Sequence, residues 1–164
     1  METPAPVRTQ GELSLSGADL TELMTAVLDK GKSFRFQARG WSMSPFVKDG
    51  DVITVAPLKG REPGTGAIVA FLHPKTGRIA VHRIVRRAPG RYLVRGDNAD
   101  VADGDLAAER IVGVVTEVLR DGKKVPGLRG GAPALIAWLS RTGGLVRGLG
   151  VLRALRGRRG KGAA

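Results

Sequence analysis

The chain has 164 residues, of which 42% are hydrophobic and 4% aromatic, with no Cys and a formal net charge of +12. That length and apolar content suit one domain with a real core and exclude a chain disordered by composition, and the lack of Cys excludes a disulfide framework or a Cys-ligated zinc site. The charge is uneven: residues 126–164 hold eight of the 27 Lys and Arg and no acid, leaving 19 basic against 15 acidic groups in residues 1–125.

Residues 1–15 open with a polar stretch containing Pro4 and Pro6, and are expected to be a flexible N-terminus without a secretory signal or membrane anchor. Ser16-Gly17-Ala18-Asp19 reads as a helix start, with Ser16 as the cap. Leu20, Leu23, Met24, Val27 and Leu28 continue it as one apolar stripe, and Gly31 ends it. The period then changes to two, with Phe34, Phe36 and Ala38 alternating with Arg35, Gln37 and Arg39. Further strands are expected over 52–55, 67–72, 78–85, 92–94 and 111–119. Pro74-Lys75-Thr76-Gly77 and Asp121-Gly122 carry turn chemistry, the latter leading to Lys123-Lys124-Val125. One early helix followed by many short strands predicts a mainly β domain, coiled or barrel-like, over residues 16–125.

Three stretches bring together residues with reactive chemistry. Gly40-Trp41-Ser42-Met43-Ser44-Pro45 places a hydroxyl between a Gly, which permits unusual backbone angles, and a Pro, which restricts its neighbours. His82 stands in the strand Val81-His82-Arg83-Ile84-Val85, where alternation puts Ala80, His82 and Ile84 on one face. An acidic cluster follows at Asp97, Asp100, Asp103 and Asp105. A Ser, a His and an Asp can serve as nucleophile, general base and orienting carboxylate. The same residues also have plain structural readings: a turn Ser, a half-buried strand His and a hydrophilic loop rich in Asx turns. His73, beside Pro74, is expected to face solvent.

The Ser42-Met43-Ser44-Pro45 box with Gly50-Asp51, the Val81–Val85 strand and the Gly96-Asp97-Asn98 box resemble, in order and spacing, the S24/S26 serine peptidases. The likeness spans roughly Phe34 to Val118. Bacterial leader peptidases and self-cleaving SOS repressors of this group use Lys where this chain has His82, and a His there is similar to the archaeal and endoplasmic-reticulum type of signal peptidase I. The resemblance implies a coiled β-sheet fold. It implies Ser42 as nucleophile, His82 as general base and Asp103 as the orienting acid, with Asp97 structural or accessory. It implies cleavage of a peptide or preprotein after small residues, with no metal or organic cofactor. The position two before the nucleophile, where the family often has an oxyanion-binding Ser, is Gly40.

Residues 126–164 form a basic, Gly-rich tail, expected to be partly helical. Leu145, Leu149 and Leu152 fall on one helical side with Arg147, Arg153 and Arg156 around them. The pattern suits either a helix packed on the domain or one lying on an anionic membrane surface. No apolar window is long enough to span a bilayer, so a cytoplasmic or peripheral-membrane location is expected. Trp138 is the tail's one aromatic residue, so no specific nucleic-acid binding is expected. The alternative function is a non-catalytic or autoproteolytic regulatory or binding module that this basic tail docks on a membrane or nucleic acid. Autoproteolysis is disfavoured by the absence of a clear helix-turn-helix and of Lys at the base position.

Overall fold

The computed structural model describes residues 15–126. The expectations for a flexible N-terminus over 1–15 and a helical tail over 126–164 lie outside the described residues, apart from Leu15 and Pro126. Helix α1 (Gly17–Asp29) begins where its cap predicts: the Ser16 hydroxyl accepts the Asp19 N–H at 3.2 Å. Met24 and Leu28 are buried, whereas Leu23 stays 43% exposed and falls off the stripe. Gly31 leaves the helix with φ +71°, a conformation natural to glycine.

Eight strands follow: β1 (Phe34–Gln37), β2 (Val52–Ala56), β3 (Ile68–Leu72), β4 (Ile79–Ala88), β5 (Arg91–Arg95), β6 (Gly104–Ala107), β7 (Ile111–Arg120) and β8 (Lys123–Lys124). They form one antiparallel sheet in the order β1-β2-β7-β3-β4-β5-β6, with β8 paired to β7. The two ten-residue strands, β4 and β7, change partners along their length. The first part of β4 pairs with β3 and its remainder with β5, while β7 pairs first with β3 and then with β2. Register shifts at Thr54/Val55, Ala70/Phe71 and Ile84/Arg86 mark local bends.

Strand β3 is buried on both faces, which explains its unbroken apolar run Ile68-Val69-Ala70-Phe71. Ile68 and Ala70 join the core that α1 covers, with Met24, Leu28, Ile53 and Val118. Val69 and Phe71 join a second core with Ile84, Tyr92, Val94 and Leu106. Strand β6 is a departure from the hydrophilic loop that the acidic cluster Asp97, Asp100, Asp103 and Asp105 suggests. Gly and Asp are poor strand formers, and Gly104-Asp105 becomes a strand because Tyr92–Leu106 and its neighbours pair it to β5.

Gly113 on β7 sits where α1 and β2 press closest. A methyl group there would lie 2.6 Å from Val55 Cγ1, 2.7 Å from the Ala56 carbonyl oxygen and 3.2 Å from Leu28 Cδ1. The carbonyl belongs to a paired strand and cannot yield without breaking register. Gly113→Ala is therefore expected to destabilise the domain by about 1–3 kcal/mol. Gly64→Ala, where a methyl group meets nothing within 4 Å, should be near neutral. Thermal unfolding of both variants checks the difference, and equal midpoints would refute the close-approach account.

Candidate active site

Ser42 sits on a tight turn held from below by the core. Met43 and Val47 are buried, and the Phe46 and Val47 N–H groups donate to the Met43 carbonyl at 3.1 and 3.0 Å. With Met43 turned inward, Ser42 remains exposed. Just upstream, Gly40 has φ +95° and donates its N–H to Asp49 Oδ1 at 2.8 Å.

A buried carboxylate fixes the far side of the turn. Asp51 accepts the Lys48 N–H at 2.8 Å and takes a two-point contact from Arg120, Nε at 2.9 Å and Nη2 at 2.8 Å. The same Nη2 reaches the carbonyls of Pro45 and Phe46 at 3.3 and 3.2 Å. Burial by itself would push the Asp51 carboxyl up. The Arg120 hydrogen bonds, the Lys48 N–H and the two positive charges outweigh burial and hold it below the ordinary carboxylate value. The hydrogen bond to Asp51 raises the Arg120 guanidinium in turn, against its own burial.

His82 reaches this turn from β4. Its Nε2 lies 2.9 Å from Ser42 Oγ, and its Nδ1 is hydrogen-bonded to Asp103 Oδ2. The His82 and Asp103 side chains are mostly covered, and the His82 ring lies 5.7 Å from the Phe71 ring, centroid to centroid. Asp103 is placed at the mouth of β6 by its own N–H, which donates to the Val94 carbonyl at 3.1 Å. Three residues far apart in sequence thus stand in line: exposed hydroxyl, imidazole and carboxylate.

The Gly96-Asp97-Asn98 segment packs directly on that line. A methyl group on Gly96 would lie 2.6 Å from the Ser42 carbonyl oxygen and 3.2 Å from His82 Nε2, so only glycine fits. Asn98 donates its backbone N–H to the Ser42 carbonyl at 2.7 Å and its side-chain amide to the Trp41 carbonyl at 3.3 Å. Asp97 is fully buried and takes a two-point contact from Arg83, Nε at 2.8 Å and Nη2 at 2.7 Å. Arg83 also donates to the Gly66 carbonyl at 2.8 Å, and its guanidinium lies 5.3 Å from the Phe46 ring centroid.

The remaining acids separate. Asp105 pairs with Arg91 on the surface, and Asp100 is exposed. His73 is not the solvent-facing residue the sequence suggested. Its side chain is one-quarter exposed, and Nε2 lies 3.8 Å from Asp103 Oδ1. The cause is strand geometry: Phe71 and His73, two residues apart, share a side, and their rings lie 6.4 Å apart. The supporting roles of Arg83 and Arg120 are not legible in the sequence, whereas Gly96 and Asn98 belong to the box it singles out. The available signal was Arg83, a charge standing between Val81 and Val85 on an otherwise apolar alternation.

A cleft of about 290 Å³ opens beside the turn, lined by Leu20, Phe36, Met43 and Val81 together with Ser42 and His82. Among the described residues, no group of three or more His, Cys, Asp or Glu could hold a metal ion. The family model described as Peptidase S24-like matches residues 9–116. No curated protein matches the chain.

The Asp51–Arg120 clamp has a defined pH signature. A carboxyl held low in the folded state adds stability that is complete above its unfolded value and is lost as pH falls through its folded value. Asp51→Asn should therefore cost about 1–3 kcal/mol at neutral pH, and the gap to wild type should shrink only below the ordinary value of 3.8. Urea unfolding of both proteins from pH 7 down to pH 2 checks this. A gap that stays constant through that range would remove the charge from the account.

Proposed function

The chain belongs to the Peptidase S24-like family, and on that premise we propose that it is a serine endopeptidase of the signal-peptidase type, cutting signal or leader peptides after small residues. The observation that carries the reading is the 2.9 Å contact between Ser42 Oγ and His82 Nε2, backed by Asp103 on the far side of the ring. Family membership alone would leave a non-catalytic binding module open.

In the proposed reaction, Ser42 Oγ attacks the scissile carbonyl while His82 Nε2 takes its proton. Asp103, bound to Nδ1, fixes the tautomer and stabilises the resulting imidazolium. As the tetrahedral intermediate collapses, the C–N bond breaks and His82 returns the proton to the departing amine. Water, activated by the same imidazole, then hydrolyses the ester on Ser42. With Gly in place of a hydroxyl-bearing residue at position 40, the developing oxyanion must rely on backbone N–H groups of the Ser42 turn. The apolar cleft beside Ser42 would take the side chains preceding the cut bond, and its modest volume suits short ones.

Ser42→Ala and His82→Ala should each abolish cleavage of a leader-type peptide, the first with unchanged thermal unfolding and the second still folded. The double variant should be little slower than either single one, because residues acting as a unit are not additive. Normal turnover in either folded single variant would reject the mechanism.

The tail belongs to the same proposal as a membrane-docking element. Residues 126–164 carry eight basic groups and no acid, and each is worth about 1 kcal/mol near an anionic surface at low salt. The full chain should co-sediment with phosphatidylserine-containing vesicles at low salt and be released at high salt. A chain ending at Val125 should stay in solution. Equal sedimentation of both would exclude the tail from docking.

A further inference from the structure

We propose that His73 is a positioning residue for Asp103, holding the carboxylate oxygen that His82 does not use. This rests on the reading of Ser42, His82 and Asp103 as the reacting line. Asp103 lies between two imidazoles. Oδ2 is bound to His82 Nδ1, and Oδ1 faces His73 Nε2 at 3.8 Å. Both rings lean on Phe71, at 5.7 and 6.4 Å between centroids.

The tautomer of His73 follows from its other nitrogen. The Lys75 N–H donates to His73 Nδ1 at 3.3 Å, so in the neutral ring the proton sits on Nε2, the atom that faces Asp103. The backbone of His73 is itself fixed at the end of the β3–β4 hairpin. Its N–H donates to the Arg78 carbonyl, and its carbonyl accepts from Gly77, both at 2.9 Å. Asp103 is thus shared between the two imidazoles, and Lys75 and Arg78 stand in the same turn as His73.

A carboxylate held through one oxygen can swing about its χ2 torsion, and its hydrogen bond to the imidazole swings with it. A donor aimed at the second oxygen fixes the plane. At 3.8 Å the contact is longer than a hydrogen bond, and the positioning role requires it to shorten in the working site. Such contacts commonly tighten when bound substrate completes the site. His73 touches neither substrate nor the reacting atoms; it acts through Asp103.

Two substitutions separate this role from simple packing. His73→Phe keeps a ring against Phe71 and loses the donor, whereas His73→Gln loses the ring and keeps an amide N–H of similar reach. The first readout is the rate at which a fluorophosphonate probe labels Ser42 in the full chain. His73→Phe should label about tenfold more slowly, well short of the roughly hundredfold that a 1 Å misplacement can cost, and His73→Gln should approach wild type. Wild-type labelling by His73→Phe, or equal slowing in both variants, would overturn the proposal. The second readout is the downfield proton resonance of His82 Nδ1–H, which needs no turnover. It should weaken or move in His73→Phe and persist in His73→Gln; an unchanged resonance in His73→Phe would also overturn the proposal. A wild-type protein that the probe does not label would sink the peptidase reading, and the resonance would then decide the role of His73 by itself.

Discussion

The pair formed by Arg83 and Asp97 is the brace on which the candidate site depends. Both side chains are buried, at 1% and 0% exposure, and they meet through two parallel hydrogen bonds. Arg83 follows His82 on β4, and Asp97 follows Gly96, where even a methyl group would collide with Ser42 and crowd His82. One interaction therefore locks the strand that carries the imidazole to the segment that supports the hydroxyl. A buried ion pair is a poor source of net stability, because desolvation offsets most of the attraction, but losing one partner strands a charge and costs about 3–5 kcal/mol. Its value lies in excluding other geometries. The guanidinium and carboxylate planes must match for both hydrogen bonds to form, and that constrains the spacing of the two segments.

A second brace of the same chemistry stands on the other side of the Ser42 turn. Arg120 joins Asp51 across 69 residues of sequence and grips the Pro45 and Phe46 carbonyls. The Phe46 ring also faces the Arg83 guanidinium, so the two braces meet at one residue. Between them, Met43 and Val47 anchor the turn in the core. The exposed nucleophile candidate is thus set by buried neighbours. Its own position would otherwise be that of any solvent-facing loop residue, free to sample geometries in which Oγ misses the imidazole.

What was legible in the sequence was local. The Ser16 cap, the helical stripe ending near Gly31, the alternating strands and the Asp121-Gly122 turn each state their conformation in a few adjacent residues. Ser42, His82 and Asp103 could be singled out only as residue types in a familiar order, and the 2.9 Å contact between the first two is a product of tertiary folding. Where the reading failed, the deciding contact was distant. Gly104-Asp105 is a poor strand by composition and becomes one because β5 offers it a partner. His73 looks like a turn residue beside Pro74, and nothing near it in the chain announces that the β5–β6 hairpin will bring Asp103 alongside. Arg120 ends a strand and Asp51 begins one, and no local pattern connects them.

The choice of imidazole over an amine at position 82 has consequences for the surrounding architecture. A lysine base ends in one nitrogen, which can be oriented by hydrophobic packing of its stem. An imidazole has two nitrogens on opposite edges of a rigid ring, so placing Nε2 on Ser42 forces Nδ1 into the protein, where it needs an acceptor. In this sheet the space beyond Nδ1 lies under the loop that enters β6, and Asp103 fills it. The carboxylate placed there has a second oxygen, which faces His73 at the end of the β3–β4 hairpin. On the proposed reading, each step away from Ser42 creates the demand that the next residue meets. The chain of contacts runs outward from hydroxyl to imidazole to carboxylate and ends on a histidine whose own far nitrogen is satisfied by the Lys75 N–H at the protein surface.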